Sequence, residues 1–504
     1  MEEDLKDRKP PLEMDPEEFR KLGHWVVDRL TDFLQNLPQR QVTQGMPPRD
    51  IRGLLGDRPL PQRGMPADIL LQESICLLSE NSLFNGHPRF WGYITSSAAP
   101  IGALGDLIAA ALNPNVGAWD LSPVASEIEA QTIRWIAEMI GYPTNCGGLL
   151  VSGGNMANFV GFLAARKAKA PWDIRMEGLR EGAHPFTLYA SRETHTWIQK
   201  AADMFGLGLH AIRWIPTNER QQMDIQALEG QIAADREKGF LPLLVVGTAG
   251  TVAVGTIDPL PAIAATCKKE RLWFHVDGAY GAPAAVLPEA PAELSGLREA
   301  DSVALDPHKW LYSPLEAGCI LVREPKHLLE AFTFHPDYYH FDDRGGEKPI
   351  NYYELGPQNS RGFRALKVWL ALRLIGREGY VRMIREDIAL AQALYQRAEA
   401  APELQVFTRN LSITTFRFVP RDLAVGDAAI NYLNELNREI LNRLQAGGEV
   451  YVSNAVLEGN FVLRACVVNF RTRLEDIEAL VEIVIRAGRD IDAQMRPRFF
   501  RKNR

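Results

Sequence analysis

Ser302-Val303-Ala304-Leu305-Asp306-Pro307-His308-Lys309-Trp310 is the stretch on which the reading of this chain turns. Four small or apolar residues, stopped by Asp306-Pro307, have the length and composition of a strand buried on both faces. A lysine placed directly after such a strand, between His308 and Trp310, is out of place as a solvated surface charge. An amine that acts as a nucleophile needs a partly desolvated setting that lowers its pKa, and the end of a buried strand provides one. A structural ion pair is the competing reading of Lys309, and these nine residues do not separate the two.

Three further features sit at the ends of other short apolar runs. Trp273-Phe274-His275-Val276-Asp277-Gly278-Ala279-Tyr280 presents one carboxylate, Asp277, where a strand gives way to glycine. That carboxylate can cap the following turn, bind a metal or a ribose, or hold a proton on a heterocyclic nitrogen. Val151-Ser152-Gly153-Gly154-Asn155-Met156-Ala157-Asn158 is a small, flexible turn that opens a helix running through Arg166. Backbone N–H groups at a helix N-terminus bind phosphate where glycines permit close approach, although a plain strand-to-helix turn has the same composition. Ser191-Arg192-Glu193-Thr194-His195 follows the strand Leu188–Ala190 and offers an imidazole that can stack on a ring or stay structural. A nucleotide-binding domain uses the turn but leaves the buried lysine without a role. One cofactor, pyridoxal 5'-phosphate (PLP), accounts for all four features: phosphate on the turn, ring against His195, pyridine nitrogen on Asp277 and aldehyde on Lys309.

Composition narrows the remaining classes. The chain has 504 residues, 46% hydrophobic and 24% charged, which suits a globular protein of two or three domains sharing a large core. A net charge of −7 argues against a nucleic-acid partner. Only Arg496 to Arg504, with five basic residues, is strongly cationic, and it reads as a solvated tail. Cys76, Cys146, Cys267, Cys319 and Cys466 lie far apart with no CxxC pair, so neither a disulfide framework nor a metal site is expected. MEEDLKDRKPP lacks the apolar centre of a signal peptide, and no run approaches the roughly 18 apolar residues of a membrane span. The expectation is a soluble, cytoplasmic protein.

The pattern divides the chain in three. Asp15 to Leu37 carries Phe19, Leu22, Val26, Leu30, Phe33 and Leu37 as one helical stripe, opened by Asp15-Pro16-Glu17-Glu18 as N-cap, proline and acidic first turn. A proline-rich connector over Pro47–Pro66 and a second helical stretch near Ile69–Leu83 complete an N-terminal arm, residues 1–85. Such an arm must pack on the body or on a second subunit. From 86 to 376 helices alternate with short strands: Leu149–Val151, Thr187–Ala190, Leu243–Val246, Leu272–Val276 and Ser302–Leu305. Ser122-Pro123 starts one of the intervening helices. That alternation predicts an α/β domain with a mostly parallel sheet and ligands at the carboxyl ends of its strands. Residues 377–504, with strands Ile413–Phe418 and Phe461–Val467 and a helix near Leu474–Ala487, read as a smaller α+β domain.

With these residues in place, the sequence resembles the PLP-dependent group II amino-acid decarboxylases, and within them the aromatic-L-amino-acid branch. The resemblance is carried by His87-Pro88-Arg89-Phe90-Trp91-Gly92-Tyr93, Ser122-Pro123-Val124-Ala125-Ser126-Glu127-Ile128-Glu129 and Ser152-Gly153-Gly154-Asn155. It continues through His195, Gly250-Thr251, Val276-Asp277-Gly278-Ala279-Tyr280, Asp306-Pro307-His308-Lys309-Trp310, Arg361-Gly362-Phe363-Arg364-Ala365-Leu366-Lys367-Val368-Trp369 and Phe461-Val462-Leu463-Arg464. It implies the type I aminotransferase-like fold and a homodimer with active sites at the interface. It also implies Lys309 as the Schiff-base lysine, Asp277 on the pyridine nitrogen and His195 stacked on the ring. Gly153, Gly154, Asn155, Ala279, Asp306 and His308 are then the shell around phosphate and lysine, and Thr251 a polar contact near the cofactor.

A family loop bearing a tyrosine that protonates the α-carbon would lie between His335 and Gln358, hinged at Gly345-Gly346. Counting back from Phe363 gives Tyr352, with Tyr353 beside it. The substrate, an L-amino acid, would meet Phe84, Phe90, Trp91 and Tyr93, an aromatic surface that core packing explains as well. Relatives commonly place a hydroxyl and a glutamate at the Asn155 and Met156 positions, a departure that an amide at Asn155 tolerates. The implied reaction is decarboxylation to an amine. Oxidative aldehyde synthesis, a carbon–sulfur or carbon–carbon lyase, and a silent relative are the rivals. His195 with Tyr352 favours decarboxylation over the first, and Lys309 with Asp277 counts against the last.

Overall fold

The computed structural model describes residues 6, 8, 10–179, 185–334, 349–423 and 427–496. The expected hinge Gly345-Gly346 and all but the first residue of the basic C-terminal tail lie outside these residues.

A seven-stranded sheet forms the centre, in the order β1 (Gly147–Val151), β7 (Gly318–Val322), β6 (Ser302–Leu305), β5 (Trp273–Asp277), β4 (Leu241–Thr248), β2 (Phe186–Ser191) and β3 (Ile212–Ile215). β3-β2-β4-β5-β6 pair in parallel, and β7 runs antiparallel to both of its neighbours. The five strands expected from the sequence are all present, and Ser302–Leu305 matches residue for residue. β3 and β7 are additions to that set. β3 reads Ile-Arg-Trp-Ile at the sheet edge, where Arg213 and Trp214 are only partly covered and break the apolar run. β7 is apolar and buried throughout, but such a run carries no signal of pairing or direction.

Register brings the chemistry together. Thr248 pairs with Asp277, and Asp277 pairs with Ala304, two residues before Asp306. Three adjacent parallel strands therefore discharge their carboxyl ends at one place, next to the Gly154–Lys169 helix that follows β1. β1 is held there by a buried ion pair. Glu129 Oε1 accepts from the Leu150 N–H (2.8 Å), and Arg361 bonds both Glu129 Oε1 (2.5 Å) and the Leu150 carbonyl (2.6 Å). Both side chains are essentially inaccessible, and removing one partner of such a pair costs about 3–5 kcal/mol.

A second, antiparallel sheet follows the order β10 (Ser453–Leu457), β11 (Asn460–Cys466), β9 (Ile413–Phe418), β8 (Leu404–Asn410). The Leu474–Met495 helix and the far end of the Ala365–Ala400 helix close its core. The latter helix is broken at Gly376, whose φ of +63° no helical residue adopts. Residues 87–91 also join this lobe: Asn469 Nδ2 donates to the His87 carbonyl (2.7 Å), Thr472 Oγ1 donates to the Pro88 carbonyl (2.6 Å), and the Trp91 N–H donates to Tyr451 O (2.7 Å).

The N-terminal arm begins as its sequence predicts. Asp15 accepts from the Glu17 N–H (2.8 Å) and Pro16 opens the helix Pro16–Asn36. The connector holds a further helix, Pro48–Leu55, before Ala67–Asn81. None of the three helices buries a single residue within this chain, and Phe19 and Leu30 remain 59% and 46% exposed. The stripe is covered only towards its end, where Leu37 is buried and Phe33 packs on Phe84, and its start stays open.

Candidate active site

A cavity of about 380 Å³ opens at the carboxyl ends of β1, β4, β5 and β6. Its wall takes Gly153, Gly154 and Asn155 from the turn after β1, Asp277 and Ala279 from β5 and its following turn, and Asp306, His308 and Lys309 from the segment after β6. His195, on the loop that leaves the end of β2, lies on the same wall and keeps one side open to solvent. A larger cleft of about 590 Å³ opens elsewhere, between Arg220 and Arg409, and contains none of these residues.

Lys309 Nζ lies 3.0 Å from Asp306 Oδ2, and the lysine side chain is 21% exposed. The ion-pair reading and the functional one thus describe the same lysine: it is paired inside the cavity. A tight turn aims it, because the Lys309 N–H donates to the Asp306 carbonyl (2.8 Å) and the Tyr312 N–H donates to the Lys309 carbonyl (3.1 Å). Asp277 also does two things. Its Oδ1 accepts from the Ala279 N–H (3.2 Å), which caps the turn, while the residue still forms part of the cavity wall.

Two imidazoles, His195 and His308, share the cavity wall with this pair and a third, His275, is buried two residues before Asp277, and burial lowers the pKa of each. For His195 desolvation of the ring is the main cause, opposed by Asp277 and reinforced by Lys309. For His308 desolvation again leads, opposed by Asp306. His308 Nδ1 lies 2.7 Å from the Ala317 carbonyl, the geometry of an N–H donor, which leaves Nε2 unprotonated in the neutral ring. His275 is pushed down to about 4 by complete burial. Its tautomer follows from its neighbours. Asn158 Oδ1 can only accept (2.7 Å), so the one proton of the neutral ring sits on Nε2, and Ser302 Oγ, accepting from Trp273 Nε1 (2.8 Å), donates to Nδ1 (2.8 Å). The chain of bonds fixes the amide of Asn158, which faces the cavity.

The residues present suit PLP. The turn after β1 stands at the N-terminus of a 16-residue helix, where free N–H groups favour an anion. Gly153 has φ +122°, and a Cβ on Gly154 would come 2.7 Å from Asp306 Oδ2, so only glycine leaves the cradle open. Asp306 Oδ1 and Thr248 Oγ1 are buried without a hydrogen-bond partner, polar atoms that a bound group can satisfy. No group of three or more metal-ligating side chains occurs among the described residues.

The pyridoxal-dependent decarboxylase conserved domain matches residues 48–419, about three-quarters of the chain. The chain belongs to the pyridoxal-dependent decarboxylase family. It is 34% identical to an aromatic-L-amino-acid decarboxylase of Bacillus atrophaeus over 472 residues, which covers 92% of this chain and 94% of the relative. It is 29% identical to a phenylacetaldehyde synthase of a Rosa hybrid cultivar over 90% of each chain. The Oryza sativa TDC solved with PLP and tryptamine superposes with a TM-score of 0.89 at 27% identity, covering 96% of this chain and all of that one. The protein is a PLP-dependent amino-acid decarboxylase, a carboxy-lyase of the aminotransferase-like fold.

Six residues expected in the site of this decarboxylase are not part of the cavity. Thr251 is fully buried and its Oγ1 accepts from the Thr256 N–H (3.1 Å), so it braces its own turn. Trp91 is fully buried in the C-terminal lobe, with Nε1 donating to Thr472 Oγ1 (3.2 Å). Phe90 stacks on Tyr451 at 5.3 Å, and Tyr93 points to solvent beside the same ring. Phe84, grouped with them on the expected aromatic surface, packs edge-on against Phe33. Tyr352 is not on a loop over the cavity. It lies in the one-turn helix Tyr352–Glu354, 1% exposed, with Arg361 over its ring at 4.7 Å and its hydroxyl directed at the Ser126 carbonyl. Burial drives its pKa well up. Tyr353, the alternative beside it, is buried in the same turn and is not part of the cavity either, and Tyr338 and Tyr339 lie outside the described residues.

Thr248 and Asn158 are cavity residues to which the sequence motifs assign no role. The signal for Thr248 is its place as the last residue of a buried strand, and for Asn158 its place one turn into the helix after the glycines.

Proposed function

We propose that this decarboxylase converts an aromatic L-amino acid into the corresponding amine and CO₂. The observation that carries the reading is Asp277 and Lys309 facing one cavity beside the Gly153-Gly154 cradle. The aromatic preference is supported by the Bacillus relative's name and by the tryptamine in the Oryza structure.

Lys309 is the amine that would hold the cofactor's aldehyde, and Asp306, 3.0 Å from Nζ, keeps that side chain aimed into the cavity. Gly153, Gly154, Asn155 and His308 line the part of the cavity that would hold the phosphate, and Ala279 lines the wall beside Asp277. Asp277 keeps a proton on the pyridine nitrogen. His195, its pKa lowered by burial, would offer a neutral imidazole to the cofactor ring from the cavity wall. Thr248 takes the place of Thr251 as the hydroxyl near the cofactor. The cofactor, when bound, supplies the electron sink for the pair released as CO₂ leaves.

The rival with a specific observation behind it is oxidative aldehyde synthesis, because an aldehyde synthase is among the relatives. Tyr352 does not argue against it, since its hydroxyl is buried away from the cavity. A panel of L-amino acids scored together for CO₂, amine, aldehyde and peroxide separates the two. Aromatic substrates should give amine and CO₂ in equal amounts with aldehyde and peroxide at background. Peroxide equal to CO₂ would instead assign the synthase reaction. Tyr352→Phe should leave the product split unchanged, because one weak buried bond is lost, worth about 1 kcal/mol.

The N-terminal arm gives the reading its quaternary form. We take the active unit as a homodimer in which the exposed stripe of Pro16–Asn36 and Leu104, Leu107 and Leu112 of Pro100–Leu112 find their cover. Sedimentation should give a dimer, and Phe19→Asp with Leu30→Asp should shift it towards monomer with parallel loss of activity. A wild-type monomer that is fully active would refute the arrangement. No helix among the described residues is long and apolar enough to cross a membrane. All five cysteines are unpaired, which suits a reducing cytoplasm. The division into arm, large domain and small domain is retained in this proposal, with residues 87–91 reassigned to the small domain.

A further inference from the structure

Trp310, Leu311 and Tyr312, the three residues after Lys309, are all gripped by one helix. Trp310 Nε1 (2.8 Å) and Tyr312 Oη (2.6 Å) both donate to Asp387 Oδ2, and Tyr380 Oη donates to the Leu311 carbonyl (3.2 Å). Tyr380 and Asp387 stand seven residues apart on the Ala365–Ala400 helix, beyond its break at Gly376, so two turns bring them to one face. Trp310, Tyr312, Tyr380 and Asp387 are all buried.

The grip reaches the other cofactor-facing residue as well. Trp310 stacks on Tyr280, with ring centroids 4.9 Å apart and planes at 17°. Tyr280 follows Asp277 by three residues, and its hydroxyl lies 2.6 Å from Ser412 Oγ while accepting from the Ser412 N–H (3.0 Å). The residues trailing Asp277 and Lys309 therefore pack on each other, and each is tied to a C-terminal element, Asp387 or Ser412.

A carboxyl at this depth is an odd choice for packing alone. Burial pushes Asp387 up to about 7 against the pull of its donors from Tyr312, Trp310 and the Asn469 backbone. An apolar side chain of similar volume avoids that desolvation, so a purely space-filling role would not retain the carboxyl. Tyr312 has φ +55°, a backbone conformation that a residue with a side chain keeps only where its surroundings impose it. Its bond to Asp387 is such an imposition.

We propose that Asp387 is a positioning residue for decarboxylation: by holding Trp310 and Tyr312 it aims Lys309 into the cavity and couples the C-terminal lobe to the cofactor site. This rests on the reading of Lys309 as the cofactor lysine.

The test compares holoenzyme of wild type, Asp387→Asn and Tyr312→Phe with Asn437→Ala. The last removes a buried amide in the C-terminal lobe that bonds the Phe418 backbone and the Leu433 carbonyl and makes no bond to the lysine segment or to Asp387. Each is measured for melting temperature, kcat, KM and the visible circular dichroism of the bound cofactor. Asp387→Asn should lower kcat on the order of 10- to 100-fold, as misaimed groups do, with KM within about threefold. It should also change the cofactor's dichroism. Tyr312→Phe should move both readouts in the same direction, and the double variant should add little, because the two act through one bond. Asn437→Ala should lower the melting temperature alone. If Asp387→Asn and Tyr312→Phe only melt earlier, as Asn437→Ala does, the positioning role is overturned. Should Asp387→Asn fail to fold, Tyr312→Phe decides the matter by the same readouts. A wild type without borohydride-trapped cofactor on Lys309 overturns this inference together with the reading beneath it. A normally trapped wild type with unchanged variants overturns the inference alone.

Discussion

Lys309→Ala retains no cofactor after borohydride treatment and denaturation, whereas the wild-type chain keeps it covalently and loses its yellow colour. That outcome is expected because Lys309 is the lysine whose Nζ lies against Asp306 within the cavity. Activity should fall with it, on the order of 10²- to 10⁴-fold, the loss typical of removing a group that takes part in proton transfer and covalent holding. The alanine also leaves the buried Asp306 carboxylate without its cation, which costs stability and clouds a simple loss of activity. Lys309→Arg removes that ambiguity. It keeps a positive charge beside Asp306 but offers no primary amine, so it should fold, bind the cofactor reversibly and trap none. Mass spectrometry of the digested, reduced protein reads the result. A modified peptide from any other lysine, in either variant, would remove Lys309 from its role.

Asp277→Asn should keep the trap and lose the chemistry. The amide oxygen still accepts from the Ala279 N–H, so the turn and the cradle survive. What disappears is the negative charge that holds a proton on a ring nitrogen, and an uncharged acceptor cannot replace it in a desolvated site. Turnover should drop on the order of 10²- to 10³-fold, the scale of losing one preorganised electrostatic group. Borohydride trapping on Lys309 should persist, which separates a binding defect from a chemical one. Asp277→Glu should recover part of the loss if its longer carboxylate still reaches the nitrogen. Turnover of Asp277→Asn within about threefold of wild type would mean that this carboxylate serves only the turn.

The two residues with the largest expected effects are both legible in the amino-acid sequence. Lys309 and Asp277 stand where a short apolar run meets a turn, and strands of that kind are recognised by composition. The same logic recovers β6 and β9 residue for residue, and Asp15 as a helix cap. Composition fails where direction matters. Phe90, Trp91 and Tyr352 are aromatic residues beside family motifs, and an aromatic ring reads the same in sequence whether it faces a cavity or a core. Trp91 is turned into the C-terminal lobe by the pairing of Phe90 with Tyr451, a contact between segments far apart in the chain. Tyr352 is drawn inward by the Glu129–Arg361 pair, whose partners lie 232 residues apart. Thr251 and Thr248 are near neighbours in the chain, yet register with β5 gives the cavity to Thr248 and the turn to Thr251.

By itself, then, the sequence singled out Lys309, Asp277, His195 and the glycine turn, and an α/β class, from local signals (strand ends, glycines and an oddly placed lysine), while the rest of the shell and the aminotransferase-like fold came from resemblance to a family. Which aromatic rings surround the site, which hydroxyl faces it, and how Asp387 reaches the segment after Lys309 were decided only by tertiary structure. Those choices depend on strand register and on burial between distant segments, and side-chain direction is set by what packs on the other side.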